Sequence, residues 1–323
     1  MIDPESSVKD DRTKLPSPFP NFFIVGAPRC ASTFMYTYLR QHPDVFMPET
    51  KEPRFFCSDL DSGSEADADF FIRDEEQYLA LFADTGGARL VGEACVANLF
   101  STVAAARIKA KRPDARIIIM LRDPVEQMYS FHAVRRRNAT EDLDFEAALD
   151  AEADRREGRR FPQLARNVKM YQYRAVASYT EQVARYFDAF GHENVHVIIF
   201  DDFVRDPAAS YRATLEFLGV DPDFRPELAV VNAHRTNISP RLATLLRDPA
   251  VINRLKRLVP RGLHHRIDAV ARRLRRWNKR PAARIPLPAS TRKRLRAEFV
   301  QEVRQLSELL ARDLTAVWLC DRS

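Results

Sequence analysis

The feature that most constrains the fold of this 323-residue chain is a short apolar run that ends in glycine. The run occupies residues 22–26, and Phe34, Tyr38 and Leu39 then recur at helical spacing within residues 32–41. A strand that enters a helix through a tight loop leaves free backbone N–H groups beside the positive end of the helix dipole. The segment therefore predicts a strand, a loop and a helix, with a binding place for a phosphate or sulfate group.

Three further apolar runs, residues 90–92, 117–121 and 195–200, have the length and composition of buried strands. Alternation of such strands with helical segments is typical of an α/β three-layer sandwich with a central parallel sheet. We expect one domain over residues 22–323, preceded by a polar, proline-bearing tail over residues 1–21. The helical period predicts helices over residues 75–82, 103–111, 125–137, 145–156, 172–190, 207–218 and 290–317.

The composition is ordinary for a globular protein, at 45% hydrophobic and 30% charged residues. No run approaches the ~18 apolar residues of a membrane span, and the N-terminus lacks the apolar segment of a secretory signal. Cys30, Cys57, Cys95 and Cys320 are too widely spaced for a CxxC pair or a metal cluster of Cys and His. These features predict a cytoplasmic protein with reduced thiols and no metal cofactor.

The loop after the first predicted strand differs from the P-loop of nucleoside triphosphate enzymes. Against the pattern GxxxxGK[ST], Gly26 takes the first position, but Ala31 replaces the second glycine and Ser32 replaces the lysine. This disfavours an ordinary ATPase or kinase. When the loop is taken alone, a plain strand-to-helix turn with Ser32 as the N-cap is the alternative to an anion site.

Residues 26–33, Gly-Ala-Pro-Arg-Cys-Ala-Ser-Thr, resemble the 5′-phosphosulfate loop, commonly PKSGTT, of sulfotransferases that use 3′-phosphoadenosine 5′-phosphosulfate (PAPS). The resemblance implies that Arg29 contacts the oxygen bridging phosphate and sulfate. Arg29 stands for the usual lysine and stays protonated, so it stabilises charge without donating a proton. Ala31 stands for the usual glycine, which costs energy if the backbone there needs a positive φ. The resemblance assigns the 5′-phosphate to four consecutive residues, Cys30, Ala31, Ser32 and Thr33.

A second motif follows the predicted strand over residues 117–121. Arg122, with Asp123 and Pro124 behind it, and Ser130 eight residues later resemble the 3′-phosphate motif of the same family. The resemblance implies charge-assisted donors from Arg122 and a hydroxyl contact from Ser130. Taken singly, an arginine in a salt bridge and a serine on a helix surface are ordinary structural residues. Two arginines lie where family members close a loop over the nucleotide and are further candidates, Arg235 and Arg241.

The segment Lys51-Glu52-Pro53-Arg54-Phe55-Phe56 resembles the KEPHFF motif of bacterial and heparan-type sulfotransferases, in which the glutamate is the general base. The resemblance implies that Glu52 removes the acceptor's proton as the new bond forms. An ion pair of Glu52 with a neighbouring base at the surface is the alternative. The other acceptor-side candidates are Arg54, Glu93 at the end of a predicted strand, and His132, a rival base.

The likeness runs from about residue 22 to residue 318, with its motifs in the family's order. It implies a P-loop-like sulfotransferase fold and an enzyme that moves a sulfuryl group from PAPS to a hydroxyl or amine by direct in-line transfer. The co-product would be adenosine 3′,5′-bisphosphate, and the acceptor a small molecule, lipid or carbohydrate. Two alternatives stay open: a divergent P-loop phosphotransferase that needs Mg²⁺, and a nucleotide- or polyanion-binding protein whose catalytic loop has weakened.

Basic residues are concentrated near the C-terminus, where residues 254–284 carry 12 Lys and Arg and a single acidic residue, Asp268. The pattern predicts an amphipathic basic helix, whose apolar stripe either packs on the core or contacts an anionic membrane or another polyanion. We expect no nucleic acid partner, because no recognition motif accompanies the charge. The stripe consists of Leu263, Ile267, Val270, Leu274 and Trp277.

Overall fold

The structure, a computed structural model, describes residues 19–68, 70–227, 235–237, 239, 251, 254, 270, 273–274, 277–281 and 286–320. The predictions for Arg241 and for most of residues 254–284 fall outside this part of the chain. Arg235 lies in a strand of which only the backbone is described.

The central sheet has five strands in the order β2-β3-β1-β4-β5, and every neighbouring pair is parallel. This confirms the predicted parallel sheet; the two-residue strand β2 was too short to stand out in the sequence. A separate antiparallel pair joins β6 to β7. The strands are β1 Phe22–Gly26, β2 Val45–Phe46, β3 Leu90–Ala94, β4 Arg116–Leu121, β5 Val195–Ile199, β6 Arg235–Asn237 and β7 Lys279–Pro281.

Helices connect the strands and cover the sheet. Among the described residues they are α1 Ser32–Leu39, α2 Glu65–Ala68, α3 Glu75–Leu79, α4 Ala97–Phe100, α5 Ala104–Lys111, α6 Pro124–Arg137, α7 Phe145–Asp150, α8 Glu152–Arg156, α9 Tyr173–Ala177, α10 Thr180–Phe190, α11 Phe200–Arg205, α12 Pro207–Leu218, α13 Ala289–Leu309 and α14 Thr315–Trp318. Single 3₁₀ turns span Ser58–Leu60, Ala80–Phe82, Val168–Tyr171 and His192–Asn194.

Three of the predicted helices are interrupted. The pattern over 145–156 divides into α7 and α8, and the pattern over 172–190 divides into α9 and α10. At the second break the Gln182 amide donates hydrogen bonds to the carbonyls of residues 175, 176 and 178, which satisfies the end of α9. The pattern over 290–317 breaks after α13, where Ala311 has a φ of 48°. A side-chain cap or a single left-handed residue ends a helix without changing the spacing of apolar residues in the sequence. The sequence pattern therefore did not reveal these breaks.

The centre of the sheet is fully buried. Residues 22–25 of β1 and residues 117–121 of β4 have no exposed surface, as expected for strands covered by helices on both faces. Because β1 and β4 are parallel neighbours, the loop after β1 and the start of α6 lie at the same edge of the sheet. Ligands of open α/β sheets bind at this edge.

The basic C-terminal segment is described at only a few positions. Val270, Leu274 and Trp277 are 56%, 38% and 67% exposed, so the described part of the predicted apolar stripe faces solvent. Among the described residues, no helix is both long and apolar enough to cross a bilayer.

Candidate active site

The loop between β1 and α1 has a strained backbone. A Cβ on Gly26 would lie 2.4 Å from the Cβ of Leu99, so the close packing of α4 under the loop requires glycine there. Arg29 and Ala31 adopt left-handed conformations with φ of 69° and 71°. The positive φ considered for Ala31 at the family's glycine position is present, at a cost of about 1–2 kcal/mol for an L-residue. Strain of this kind is typical of functional loops.

The first turn of α1 is open to an anion. Its N-terminus has no side-chain cap, so Ser32 is not the N-cap that the sequence left as an alternative. The Ser32 and Thr33 hydroxyl oxygens instead accept hydrogen bonds from the Lys51 ammonium, at 3.3 and 3.0 Å. The helix N-terminus and these two hydroxyls provide the donors that a phosphate or sulfate needs.

Helix α6 is tied directly to this loop. Asp123 caps the helix by accepting from the N–H groups of residues 125 and 126, and Pro124 occupies its first turn. The Gln127 amide donates to the Pro28 carbonyl at 3.0 Å, and Arg29 Nε donates to Ser130 Oγ at 3.2 Å. The structure therefore brings together the two segments that the resemblance assigns to the 5′- and 3′-phosphates.

Arg122 contacts Phe200 and Glu126 in this structure. Its guanidinium lies 4.4 Å from the Phe200 ring centre and 3.6 Å from a Glu126 oxygen, and no hydrogen bond joins it to Ser130. A cavity of about 600 Å³ opens beside Arg122 and Phe200. Arg292 and Arg296 of α13 also line this cavity. Sequence reasoning missed these two arginines, because their only signal was the general excess of base near the C-terminus.

The thiol of Cys30 is enclosed inside the protein. The side chain is fully buried and its Sγ points to the Pro28 carbonyl at 3.5 Å. Burial raises the pKa of the Cys30 thiol to about 12, and the nearby Arg122 charge opposes that shift only in part. The thiol stays neutral and packs inside the loop.

The segment around Glu52 is anchored to the end of β3. The Glu52 N–H donates to the Ala94 carbonyl at 2.9 Å, and the Val96 N–H donates to Glu52 Oε2 at 3.0 Å. Glu52 and Arg54 have left-handed φ values of 63° and 56°. Arg54 Nη1 donates to the Glu52 carbonyl at 2.7 Å, and its guanidinium lies 3.8 Å from the Phe70 ring centre. These contacts hold the Glu52 carboxylate in one orientation.

Lys51 lies between the Glu52 carboxylate and the start of α1. Lys51 Nζ lies 3.7 Å from Glu52 Oε1, and Arg54 Nη2 lies 3.7 Å from Oε2. The Glu52 side chain keeps 19% of its surface exposed, so it is not closed off from solvent. The ion pairs that the sequence left as an alternative are therefore present, at the edge of the site rather than in bulk solvent.

The two other titratable candidates lie inside the protein. Glu93 is 1% exposed and accepts hydrogen bonds from the Tyr78 hydroxyl and the Asn98 amide. Burial raises the pKa of Glu93 to about 7. His132 is 5% exposed, packs near Phe145, and its Nε2 lies 3.0 Å from the Leu143 carbonyl. Burial lowers the pKa of His132. The structure brings neither side chain to the surface beside Glu52.

No group of His, Cys, Asp and Glu in the described ranges is arranged to hold a metal ion.

The sequence matches the model of the sulfotransferase family over residues 20–225, which is more than half of the chain. The chain belongs to the sulfotransferase family. A crystal structure of a sulfotransferase from Alicyclobacillus acidocaldarius aligns with this sulfotransferase at a TM-score of 0.70 and 32% identity. The alignment covers 94% of this chain and 99% of that one, which confirms the predicted sulfotransferase fold.

Two curated relatives match over shorter stretches. The membrane-associated sulfotransferase kil1 of Dictyostelium discoideum is 32% identical over 141 residues, or 42% of this sulfotransferase and 28% of that protein. Human carbohydrate sulfotransferase 15 is 30% identical over 155 residues, or 34% of this sulfotransferase and 26% of that protein. The matches thus span only about a quarter of the relatives' length.

Proposed function

We propose that this sulfotransferase transfers a sulfuryl group from PAPS to an acceptor hydroxyl or amine, with adenosine 3′,5′-bisphosphate as the co-product. The observation that carries the proposal is the hydrogen bond from Arg29 to Ser130. It joins the loop before α1 to the helix implied to bind the 3′-phosphate. A nucleotide with phosphates at both the 5′ and the 3′ positions suits two anion sites that share one loop.

The chemistry we propose is a single displacement at sulfur. The acceptor atom forms a bond to sulfur while the bond from sulfur to the bridging oxygen breaks, and its electron pair stays on that oxygen in the bisphosphate. Glu52 takes the acceptor proton, and the α1 N-terminus stabilises the charge on the leaving phosphate. Holding both reactants at this loop supplies much of the rate, because the reaction becomes effectively unimolecular.

A thermal-shift comparison tests the donor assignment. We expect adenosine 3′,5′-bisphosphate at 100-fold excess over its Kd to stabilise the protein by ~2.7 kcal/mol, and adenosine 5′-phosphate at equal concentration to stabilise it much less. Ser130→Ala should narrow the difference between the ligands, and Ser210→Ala on α12 serves as the matched control. Equal shifts with both nucleotides, or transfer of phosphate from ATP with Mg²⁺, would contradict the proposal.

The acceptor is best sought among carbohydrates, small metabolites and lipids, with labelled PAPS and native extracts. A relative named a carbohydrate sulfotransferase favours carbohydrate hydroxyls as the first class to test. Transfer to any extract component in the wild-type protein, lost in Glu52→Gln, would support the assignment of both donor and base.

We also propose that the enzyme is cytoplasmic and contacts anionic membranes through residues 254–284. Two observations support this: Val270, Leu274 and Trp277 are exposed in a segment whose sequence is rich in arginine, and one relative is named membrane-associated. We expect co-sedimentation with phosphatidylserine vesicles at low salt, and release as salt screens the charges. Binding should be lost with Gln at Arg272, Arg273, Arg275 and Arg276 and kept with Gln at Arg159, Arg160, Arg212 and Arg225. Absence of binding at low salt would refute the membrane contact.

A further inference from the structure

Lys51 occupies a position that the sequence did not assign to catalysis. Its ammonium hydrogen-bonds the Thr33 and Ser32 hydroxyl oxygens at 3.0 and 3.3 Å and lies 3.7 Å from the Glu52 carboxylate. The cation therefore stands between the donor loop and the residue proposed as general base. Lys51 thus links the hydroxyls of the loop to the Glu52 carboxylate.

The basic residue of the loop itself is engaged elsewhere. Arg29 Nε bonds Ser130, on the side of the loop implied to bind the 3′-phosphate. Lys51 directly bonds both loop hydroxyls, in the place that the resemblance implied for Arg29. Arg29 still lies near enough to oppose the Lys51 charge, because it contributes to lowering the pKa of Lys51.

We infer that Lys51 is a catalytic residue that binds the sulfuryl group of PAPS and stabilises the charge on the bridging oxygen as the sulfur–oxygen bond breaks. The inference rests on the proposed function. As acceptor oxygen and sulfur join, the electron pair of the broken bond passes to the bridging oxygen, beside the Lys51 ammonium, and the acceptor proton passes to Glu52. Lys51 thus lies next to both charges that change in the step.

Two properties of the site strengthen this role. Only 19% of the Lys51 side chain is exposed, and a cation in such a setting interacts with an anion more strongly than one in water. In addition, the Ser32 and Thr33 oxygens accept from Lys51, so their own hydrogens are directed to other acceptors, as a bound phosphosulfate requires. Lys51 therefore both contacts the reacting group and orients the hydroxyls that hold it.

The test separates the sulfuryl contact from ordinary nucleotide binding. We would measure the Kd of adenosine 5′-phosphosulfate and of adenosine 5′-phosphate, which differ only by the sulfuryl group, for the wild-type protein, Lys51→Met and Lys51→Arg. We expect the preference of the wild-type protein for the phosphosulfate to fall about tenfold or more in Lys51→Met and to be partly restored in Lys51→Arg. Lys109→Met on α5 is the matched control and should keep the full preference.

Turnover of labelled PAPS with extract acceptors gives the second readout. We expect kcat to fall on the order of 100-fold in Lys51→Met, with binding of adenosine 3′,5′-bisphosphate retained to within a few-fold as evidence of an intact fold. An unchanged ligand preference, or kcat within threefold of wild type, would overturn the role of Lys51. A wild-type protein that neither binds the bisphosphate nor turns over PAPS would instead refute the proposed function, and the Lys51 inference with it.

Discussion

Two glutamates near the carboxyl end of β3 have opposite surroundings, although the backbone of Glu52 is hydrogen-bonded to the residue after Glu93. The Glu52 N–H donates to Ala94, the residue that follows Glu93. Glu93 lies in a regular strand, 1% exposed, with Tyr78 and Asn98 donating to its carboxyl group. Glu52 lies on a loop with a φ of 63°, and its carboxylate is 19% exposed.

The difference shows how position decides what a carboxyl group can do. Glu93 is enclosed by its two donors and by protein, so its carboxyl group is shielded from solvent. Glu52 is held in a strained conformation by Arg54 and by the Val96 N–H, and it faces Lys51 across an open edge. Strain that the surrounding structure maintains is typical of residues that act on a ligand.

The largest expected effect is on turnover. We predict that Glu52→Gln lowers kcat on the order of 10²-fold or more, because the amide cannot take the acceptor proton, while affinity for adenosine 3′,5′-bisphosphate stays nearly unchanged. Glu93→Gln should change kcat far less. Steady-state kinetics with labelled PAPS and binding of the bisphosphate measure both.

The opposite behaviour of the two variants would contradict these roles of Glu52 and Glu93. Full activity in Glu52→Gln would transfer the role of base to Glu93 or His132. Loss of turnover in Glu93→Gln with normal stability would show that the buried carboxyl takes part in the reaction.

An intermediate effect concerns pH and stability. The pKa of Glu93 is raised by burial from 4.5 to about 7, so between these values the folded protein holds a proton that the unfolded chain has lost. The free energy of unfolding should therefore fall by about 1.4 kcal/mol for each pH unit as pH rises from about 4.5 to 7, and level off above 7. Glu93→Gln cannot ionise and should lack this decline.

Urea unfolding of the wild-type protein and of Glu93→Gln across this pH range measures the difference directly, because all other titrating groups cancel. Parallel curves for the two proteins would mean that Glu93 is not protonated near neutral pH. Glu93 and Glu52 would then differ in exposure alone.

The smallest effect concerns the backbone. We predict that Ala31→Gly stabilises the protein by about 1 kcal/mol, because glycine adopts the φ of 71° without strain. The same substitution at Ala94, in the regular strand beside Glu93, should destabilise it by about 0.5–1 kcal/mol. Chemical denaturation measures both, and equal signs for the two variants would remove strain as a distinction between loop and strand.

Much of this arrangement was predictable because it is local in sequence. The strand, loop and helix over residues 22–39 depend on an apolar run, a glycine and a helical period that lie close together. The order of strands and helices then predicted the parallel sheet. The order of strands and helices along the chain determines these features, and it does not depend on where individual side chains point.

The features that were not predictable depend on distant contacts. Lys51 reaches Ser32 and Thr33 only because the Glu52 N–H pairs with Ala94, which fixes the segment beside the phosphate loop. Arg29 has a left-handed φ, and its side chain points to Ser130. The sequence motif does not specify this direction. The burial of Glu93 likewise required knowing that Tyr78, fifteen residues earlier, folds back over it.

The buried thiol of Cys30 can report when the loop between β1 and α1 opens. Cys320 is exposed, whereas Cys30, Cys57 and Cys95 are buried, and a neutral, shielded thiol is a poor target for alkylating reagents. In the folded protein a reagent should therefore label Cys320 first, and Cys30 only when the loop opens. The labelling rate at Cys30, followed by mass spectrometry, measures how often the loop opens. A ligand that binds to the loop should lower this rate.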